Sequence, residues 1–142
     1  MIKHMKVLFC DFDNVITESI DGIVDISLEA CKKIKEILDK TGSIFVATTK
    51  SKIWFSKENI EYRMNRVKSV GIEIFESFDY SFGDTKGSKI EEFLKKYDIE
   101  KFCIIDDKDD DFSSFSNHFI LIDHPRGVLG RNYLKKIEER LK

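Results

Sequence analysis

This 142-residue sequence has little of several features that would assign it to a specialised class of protein. It contains one proline, and no apolar run approaches the roughly 18–20 residues that a membrane-spanning helix needs. Residues 1–5 lead straight into a strand-like run, so we expect no signal peptide. The 24 basic and 26 acidic residues leave a net charge of −2, which excludes a wholly basic nucleic-acid binder but not a local basic patch.

The three cysteines are too few and too scattered to form a disulfide framework. Cys10, Cys31 and Cys103 are odd in number and contain no C-x-x-C pair, which also argues against a cysteine-rich zinc site. Two of them lie in apolar runs, where a thiol behaves as a small buried hydrophobe. We therefore expect all three to be structural, and we expect the protein to work in the reducing cytoplasm and away from membranes.

The composition that is present is typical of a globular protein, and the length favours one domain over residues 1–142. Short apolar runs alternate with helical patterns, which predicts an α/β fold with a five-stranded, parallel, Rossmann-like sheet flanked by helices. Asp21 and Gly22 predict the turn of a short hairpin over about residues 15–25. The predicted strands are 6–10, 44–47, 72–75, 102–105 and 119–122, and the predicted helices are 27–40, 56–70, 87–97 and 131–141.

Polar residues follow the predicted strands at the points where a parallel sheet places its ligand site. Asp11 and Asp13 follow the first strand, Thr48-Thr49 the second and Asp106–Asp111 the fourth, while Lys86 opens a helix. Carboxylates that converge on one point repel one another unless a cation lies between them, and oxygen ligands suit Mg²⁺. A hydroxyl and an ammonium can hold the remaining phosphoryl oxygens. This combination favours phosphoryl transfer through an aspartyl-phosphate.

Four short motifs resemble those of the haloacid dehalogenase superfamily, in the order of that family and across nearly the whole chain. Asp11-Phe12-Asp13-Asn14-Val15 resembles the first motif, Asp-x-Asp-x-Val/Thr. Thr48 is similar to the second motif, Lys86 to the third, and Asp106-Asp107 to the double-aspartate form of the fourth. Asn14 stands where glycine is commoner in the family, but asparagine tolerates the same turn conformations.

A closer resemblance is to the small haloacid-dehalogenase-type domains found with RNA-repair proteins and, more loosely, to polynucleotide phosphatases. The segment from Thr41 to Lys50 is similar to their second-motif region. The segments Asp106–Phe112 and Leu121–Pro125 are similar to their last third.

The resemblance implies a role for each matching residue in a Mg²⁺-dependent phosphatase. Asp11 would be the nucleophile and a metal ligand. Asp13 would protonate the leaving oxygen and then activate water, with its backbone carbonyl on the metal. Thr48 would donate a hydrogen bond to the phosphoryl group, and Lys86 would neutralise it. Asp13 also favours a phosphatase over a dehalogenase, because dehalogenases of the family lack the second aspartate.

The remaining metal ligands implied by the resemblance are Asp106 and Asp107, which directly follow the fourth strand. Any two of the aspartates between Asp106 and Asp111 could fill this role, although an aspartate-rich stretch such as Asp109–Asp111 more often forms a solvated turn or a helix start. Thr49 could replace Thr48, and Lys89 could replace Lys86 because the two lysines lie three residues apart on one helix face.

A charged run follows the second strand, and its sequence allows two interpretations. Its basic residues can form an exposed helix face or a basic approach for a polyanion, and Trp54 and Phe55 can anchor the core or stack bases. The basic residues are Lys50, Lys52, Lys57, Arg63, Arg66 and Lys68.

Neither interval between the motifs has room for a cap domain of about 50 residues or more. We therefore expect an open site, which admits a phosphate on a macromolecule such as an RNA or DNA end, and we expect a monomer. One alternative is a small-metabolite phosphatase, acting on a sugar or nucleotide, that closes its site by oligomerisation. The other is a domain that binds phosphate without turnover.

Overall fold

The computed structural model describes residues 4–50, 57–109 and 111–142. Within them the strands are β1 (Met5–Cys10), β2 (Thr17–Ile20), β3 (Ile23–Ile26), β4 (Ser43–Ala47), β5 (Ile74–Ser77), β6 (Ile99–Asp106) and β7 (Phe119–Leu121). The helices are α1 (Leu28–Thr41), α2 (Lys57–Lys68), α3 (Lys86–Lys96) and α4 (Tyr133–Leu141). Five strands form one sheet in the order β5-β4-β1-β6-β7, and every neighbouring pair is parallel. The predicted α/β class and Rossmann-like sheet are confirmed.

The sheet lies between two helical layers, and each face has its own apolar core. Strand β1 runs through the middle, and its residues Val7 to Cys10 are fully buried because both faces of the sheet are covered. One face packs against α1, α2 and α4 through residues such as Ile34, Val67 and Ile137. The other face packs against α3 through Ile90 and Phe93. This arrangement places the carboxyl end of β1 at the centre of one edge.

Local signals in the sequence set most element boundaries. Helix α1 begins after Ser27, whose hydroxyl accepts a hydrogen bond from the Ala30 N–H, and it ends at Gly42, whose φ of 70° suits glycine. The predicted cap of α2 at Ser56 lies outside the described residues. The prediction that the third strand covers residues 72–75 is wrong by two residues, because β5 pairs with β4 from Ile74 onward while Ile72 packs into the core.

The β2–β3 hairpin is a separate two-stranded antiparallel sheet that follows directly from the first motif. Asp21 and Gly22 form its turn and both have positive φ angles, 52° and 80°. Helix α2 holds the hairpin: the Tyr62 hydroxyl donates to Asp25 Oδ2 at 2.9 Å, and the Arg66 guanidinium donates to the Ile26 carbonyl at 3.0 Å. The first motif and α2 are therefore linked through the hairpin.

The three cysteines are free and buried. Burial raises the pKa of the Cys31 thiol to about 11 and that of the Cys103 thiol to about 12, which disfavours the reactive thiolate. Among the described residues, no helix is long and apolar enough to cross a membrane.

Candidate active site

Three elements of the fold, β1, β6 and α3, converge on one cavity at the carboxyl edge of the sheet. Asp11 follows β1, Asp106 ends β6, and Lys86 is the first residue of α3. The cavity has a volume of about 550 Å³. It is lined by Asp11, Asp13, Asn14, Thr49, Lys50, Thr85, Lys86, Asp106, Asp107, Lys108, Asp111 and Phe112. Among the residues that the structure describes, no second domain covers this cavity.

Three carboxylates form a cluster at the floor of the cavity. Asp11, Asp106 and Asp107 each offer one oxygen, and these three oxygens lie within 4.8 Å of one another. Asp11 and Asp106 are buried, so their charges are poorly screened by water. An all-oxygen donor set of this kind fits a hard divalent cation such as Mg²⁺.

Lys86 provides positive charge next to the cluster. Its Nζ atom lies 2.8 Å from Asp106 Oδ2 and 3.2 Å from Asp11 Oδ1, and the side chain is 18% exposed. The two carboxylates raise the pKa of Lys86, although burial acts in the opposite direction. The sequence allowed either Lys86 or Lys89 in this role. Lys89 Nζ, however, lies 3.6 Å from the Glu92 carboxylate. The structure therefore brings Lys86, and not Lys89, to the aspartates.

The electrostatics of the cluster favour the binding of a cation. Burial raises the pKa of Asp11 to about 7, and the neighbouring Asp106 adds to this shift while Lys86 opposes it. Burial also raises the pKa of Asp106. The pKa of Asp107 is lowered, because hydrogen bonds from neighbours, with Asn14 foremost, outweigh its burial. One lysine does not fully compensate the buried carboxylates, and a divalent cation would complete the compensation.

The first motif turns sharply after Asp11, and Asn14 allows that turn. Its φ angle is 63°, in the left-handed region that asparagine tolerates, as the sequence predicted. The amides of Val15 and Ile16 both donate to the Phe12 carbonyl, which closes the turn. The Asn14 Nδ2 atom donates to Asp107 Oδ2 at 2.9 Å, so the first and fourth motifs are in direct contact.

Thr48 lies beside Asp11 in the sheet, whereas Thr49 lines the cavity. The Thr48 amide donates to the Cys10 carbonyl at 3.0 Å, which extends the β1–β4 ladder by one step. Side chains alternate along a strand, so Thr48 falls on the same face as Val46, the face that packs against α3 and carries Lys86. The Thr48 residue is 1% exposed. Thr48 is not among the residues that line the cavity, so its contact with the phosphoryl group stays a prediction.

A comparison with known protein families matches residues 7–132 to the family described as the HAD domain in Swiss Army Knife RNA repair proteins. The chain belongs to this family. The match covers every residue of the cavity. No curated protein matches the chain.

The aspartate-rich segment of this HAD domain divides into residues with different surroundings. Asp109 is exposed, in agreement with a solvated turn, and Asp110 lies outside the described residues. Asp111 lines the cavity, and its Oδ2 accepts a hydrogen bond from the Gly87 amide at 2.5 Å. A side chain at position 87 would collide with Asp111, since a Cβ there would lie 2.5 Å from the Asp111 carbonyl oxygen. Asp111 thus binds the start of α3 and helps to place Lys86.

The basic residues that follow β4 also have different surroundings. Lys50 lines the cavity and its Nζ lies 5.2 Å from the centre of the Tyr80 ring, whereas Arg66 binds the hairpin. Lys52, Trp54 and Phe55 lie outside the described residues, so both interpretations of those aromatic side chains remain predictions.

Arg63 is the residue of this site that sequence reasoning missed. In the sequence, Arg63 is one more charged residue on a predicted helix face. In the structure, its guanidinium lies 3.0 Å from the Asp13 carboxylate. Only a helical register that turned Arg63 toward the first motif could have indicated this contact, and a single charged residue does not specify such a register.

Substitution of each threonine by valine separates their roles. Thr48→Val is expected to lower kcat/KM for phosphate release by about 10- to 100-fold, since it would remove the hydrogen bond to the phosphoryl group that the resemblance implies. Thr49→Val is expected to change it by less than about threefold, because the resemblance gives the phosphoryl contact to Thr48, which lies beside Asp11 in the sheet. A larger loss of kcat/KM in Thr49→Val than in Thr48→Val would assign the second motif to Thr49 instead.

Proposed function

We propose that this HAD domain is a Mg²⁺-dependent phosphatase that hydrolyses phosphomonoesters through an aspartyl-phosphate on Asp11. The observation that carries the proposal is the buried carboxylate of Asp11 within 4.8 Å of two further carboxylates, with the Lys86 ammonium 3.2 Å away. A nucleophilic carboxylate needs such surroundings because the approaching phosphate is itself an anion.

The reaction divides into two displacements at phosphorus. In the first, an Asp11 carboxylate oxygen forms a bond to phosphorus, the ester P–O bond breaks, and the leaving oxygen takes the proton of Asp13. In the second, water attacks the phosphorus of the aspartyl-phosphate and gives a proton to Asp13, and the Asp11–phosphorus bond breaks to release phosphate. Asp13 therefore returns to its starting protonation state after each turnover.

Lys86, Thr48 and the metal ligands stabilise charge during both displacements. The Lys86 ammonium neutralises phosphoryl oxygens next to Asp11, and Thr48 donates a hydrogen bond to another. Asp11, Asp106 and Asp107, with the backbone carbonyl of Asp13, would hold Mg²⁺. The ion, when bound, supplies a Lewis acid that neutralises the phosphoryl charge and the carboxylate repulsion.

The substrate that we propose is a phosphorylated nucleic-acid end, with the protein acting as a monomer in the cytoplasm. Two lysines beyond Lys86, Lys50 and Lys108, line the cavity and can bind additional phosphates of a polyanion. The cavity is uncovered among the described residues, so a phosphate on a large molecule can reach it. Membership in a family named for RNA repair proteins supports the same substrate class.

A phosphate-release panel tests the proposal. It would contain 3′- and 5′-phosphorylated RNA and DNA oligonucleotides, nucleotides and sugar phosphates, each with Mg²⁺ or EDTA. We expect release from the oligonucleotides in Mg²⁺ and none in EDTA, because the carboxylate cluster remains uncompensated without the ion. Release from small phosphates alone, together with a tetrameric native mass, would favour the metabolite phosphatase. Mg²⁺ binding without release from any substrate would favour the non-catalytic domain.

A further inference from the structure

We propose that Arg63 of helix α2 is a positioning residue for Asp13, an inference that rests on the proposed function. The Arg63 NH1 atom lies 3.0 Å from Asp13 Oδ1, and the two side chains are 11% and 26% exposed. An ion pair at this distance between two side chains that are mostly shielded from water restrains the carboxyl more than a surface ion pair would.

Arg63 lies behind Asp13 as seen from the cavity. Asp13 is among the residues that line the cavity, whereas Arg63 is not. The guanidinium therefore reaches the reaction through Asp13 and does not itself contact a phosphate in the cavity. This placement distinguishes Arg63 from Lys86, which borders the cavity and contacts Asp11 directly.

Helix α2 is anchored independently of the contact to Asp13. Tyr62, the residue before Arg63, donates to Asp25 of the hairpin, and Arg66, one turn later, binds the Ile26 carbonyl and lies 3.3 Å from Asp25 Oδ1. These bonds hold α2 against the hairpin on both sides of Arg63. The Arg63 guanidinium thus approaches Asp13 from a restrained helix, as positioning requires.

The contact divides the two oxygens of Asp13 between two tasks. Oδ1 lies 3.0 Å from the Arg63 guanidinium, so we assign to Oδ2 the exchange of a proton with the leaving group and with water. Without Arg63, the carboxyl can rotate about its side-chain bonds and spends less time within reach of the reacting oxygen. General acid–base catalysis depends on that reach, since the proton donor and acceptor must lie within hydrogen-bond distance.

The test compares two leaving groups in the full-length protein with Mg²⁺. 4-Nitrophenyl phosphate releases a weakly basic phenolate that needs no proton, whereas glycerol phosphate and a 3′-phosphorylated oligonucleotide release an alkoxide that does. The quantity measured is kcat/KM, which reports the first displacement. It is measured for the nitrophenyl ester and for whichever of the two alkyl esters, glycerol phosphate or the oligonucleotide, the protein hydrolyses faster. The variants are Arg63→Met, Arg63→Lys, Asp13→Asn and the double variant, with thermal unfolding recorded for each. Lys68→Met is the matched control, because it removes an exposed cationic side chain from the same helix and leaves the bonds between α2 and the hairpin in place.

We expect Arg63→Met to lower kcat/KM for the alkyl ester by about 10- to 100-fold, a part of what a general acid contributes, and for the nitrophenyl ester by less than about threefold. Arg63→Lys should restore part of the loss, and the double variant should match Asp13→Asn alone. Lys68→Met should show no preference between the esters.

Three results would overturn the inference while leaving the proposed function intact. The first is an equal loss on both esters in Arg63→Met, the second is additive losses in the double variant, and the third is the same ester preference in Lys68→Met. Each counts when Asp13→Asn itself shows a selective loss on the alkyl ester. If Arg63→Met fails to fold, Arg63→Gln takes its place: a selective loss on the alkyl ester supports the inference, and an equal loss or no loss on both esters contradicts it. No release by the wild-type protein from either ester would overturn the proposed function and this inference with it.

Discussion

Replacing Asp11 with asparagine is expected to reduce phosphate release by at least about three orders of magnitude. The amide has the shape of the carboxylate but lacks its negative charge and nucleophilicity, so no aspartyl-phosphate can form. The measurement is phosphate release with Mg²⁺ on the best substrate of the panel, under conditions where the wild-type protein turns over many times.

Asp109→Asn is the matched control for this experiment. It makes the same chemical change in the loop after β6, at an exposed residue that does not line the cavity. We expect it to retain wild-type activity within about twofold, as is usual for surface substitutions. Retention of more than about a tenth of the activity in Asp11→Asn would contradict the role of Asp11 as nucleophile, since loss of a nucleophile costs far more than tenfold.

Replacing Lys86 with methionine is expected to destabilise the metal-free protein by about 3 kcal/mol at pH 8. Lys86 is the ammonium that lies within 3.2 Å of both Asp11 and Asp106, and both carboxylates are buried. Its removal leaves two buried negative charges next to each other without compensation. Urea unfolding in EDTA, compared with the wild-type protein, measures the difference.

The destabilisation should depend on pH in a defined direction. The pKa of Asp11 is raised from 3.8 to about 7, so its neutral form is the one that the fold favours. Stability from this group is complete below pH 3.8 and is lost as the pH rises through about 7. In Lys86→Met the same carboxyls can take up protons at pH 5, so the deficit should shrink to about 1 kcal/mol there.

Lys89→Met serves as the control for helix α3. It removes a lysine one turn further along, where the ammonium pairs with Glu92 and does not contact the aspartates. We expect a change within about 0.5 kcal/mol at both pH values. A deficit in Lys86→Met that is equal at pH 5 and pH 8, or matched by Lys89→Met, would show that Lys86 does not compensate the aspartate cluster.

The sheet and the carboxylate cluster could be predicted from the sequence because both depend on local patterns. Apolar runs set the strands, and Asp11, Asp106 and Asp107 follow those runs directly, so any parallel sheet brings them to one edge. The register of β5 could not be predicted, because the apolar run begins at Ile72 and pairing with β4 alone decides which part of it forms the strand.

Contacts between distant elements were the part that the sequence did not reveal. Asp111 binds the amide of Gly87, 24 residues earlier, and an aspartate-rich loop gives no sign of which carboxylate will do so. Arg63 reaches Asp13 from a helix that is bonded to the hairpin through Asp25 and Ile26. Such contacts depend on the packing of whole elements, which no local pattern encodes.

The measurement that tests the central claim most directly is to trap the phosphorylated residue. The protein is mixed with its best substrate and Mg²⁺, quenched, and reduced with borohydride, which converts an aspartyl-phosphate to homoserine, and the peptides are then sequenced by mass spectrometry. We expect homoserine at position 11 when substrate is present, and none without substrate or in Asp11→Asn. Steady turnover with Asp11 unmodified, or with homoserine at another aspartate, would contradict the account.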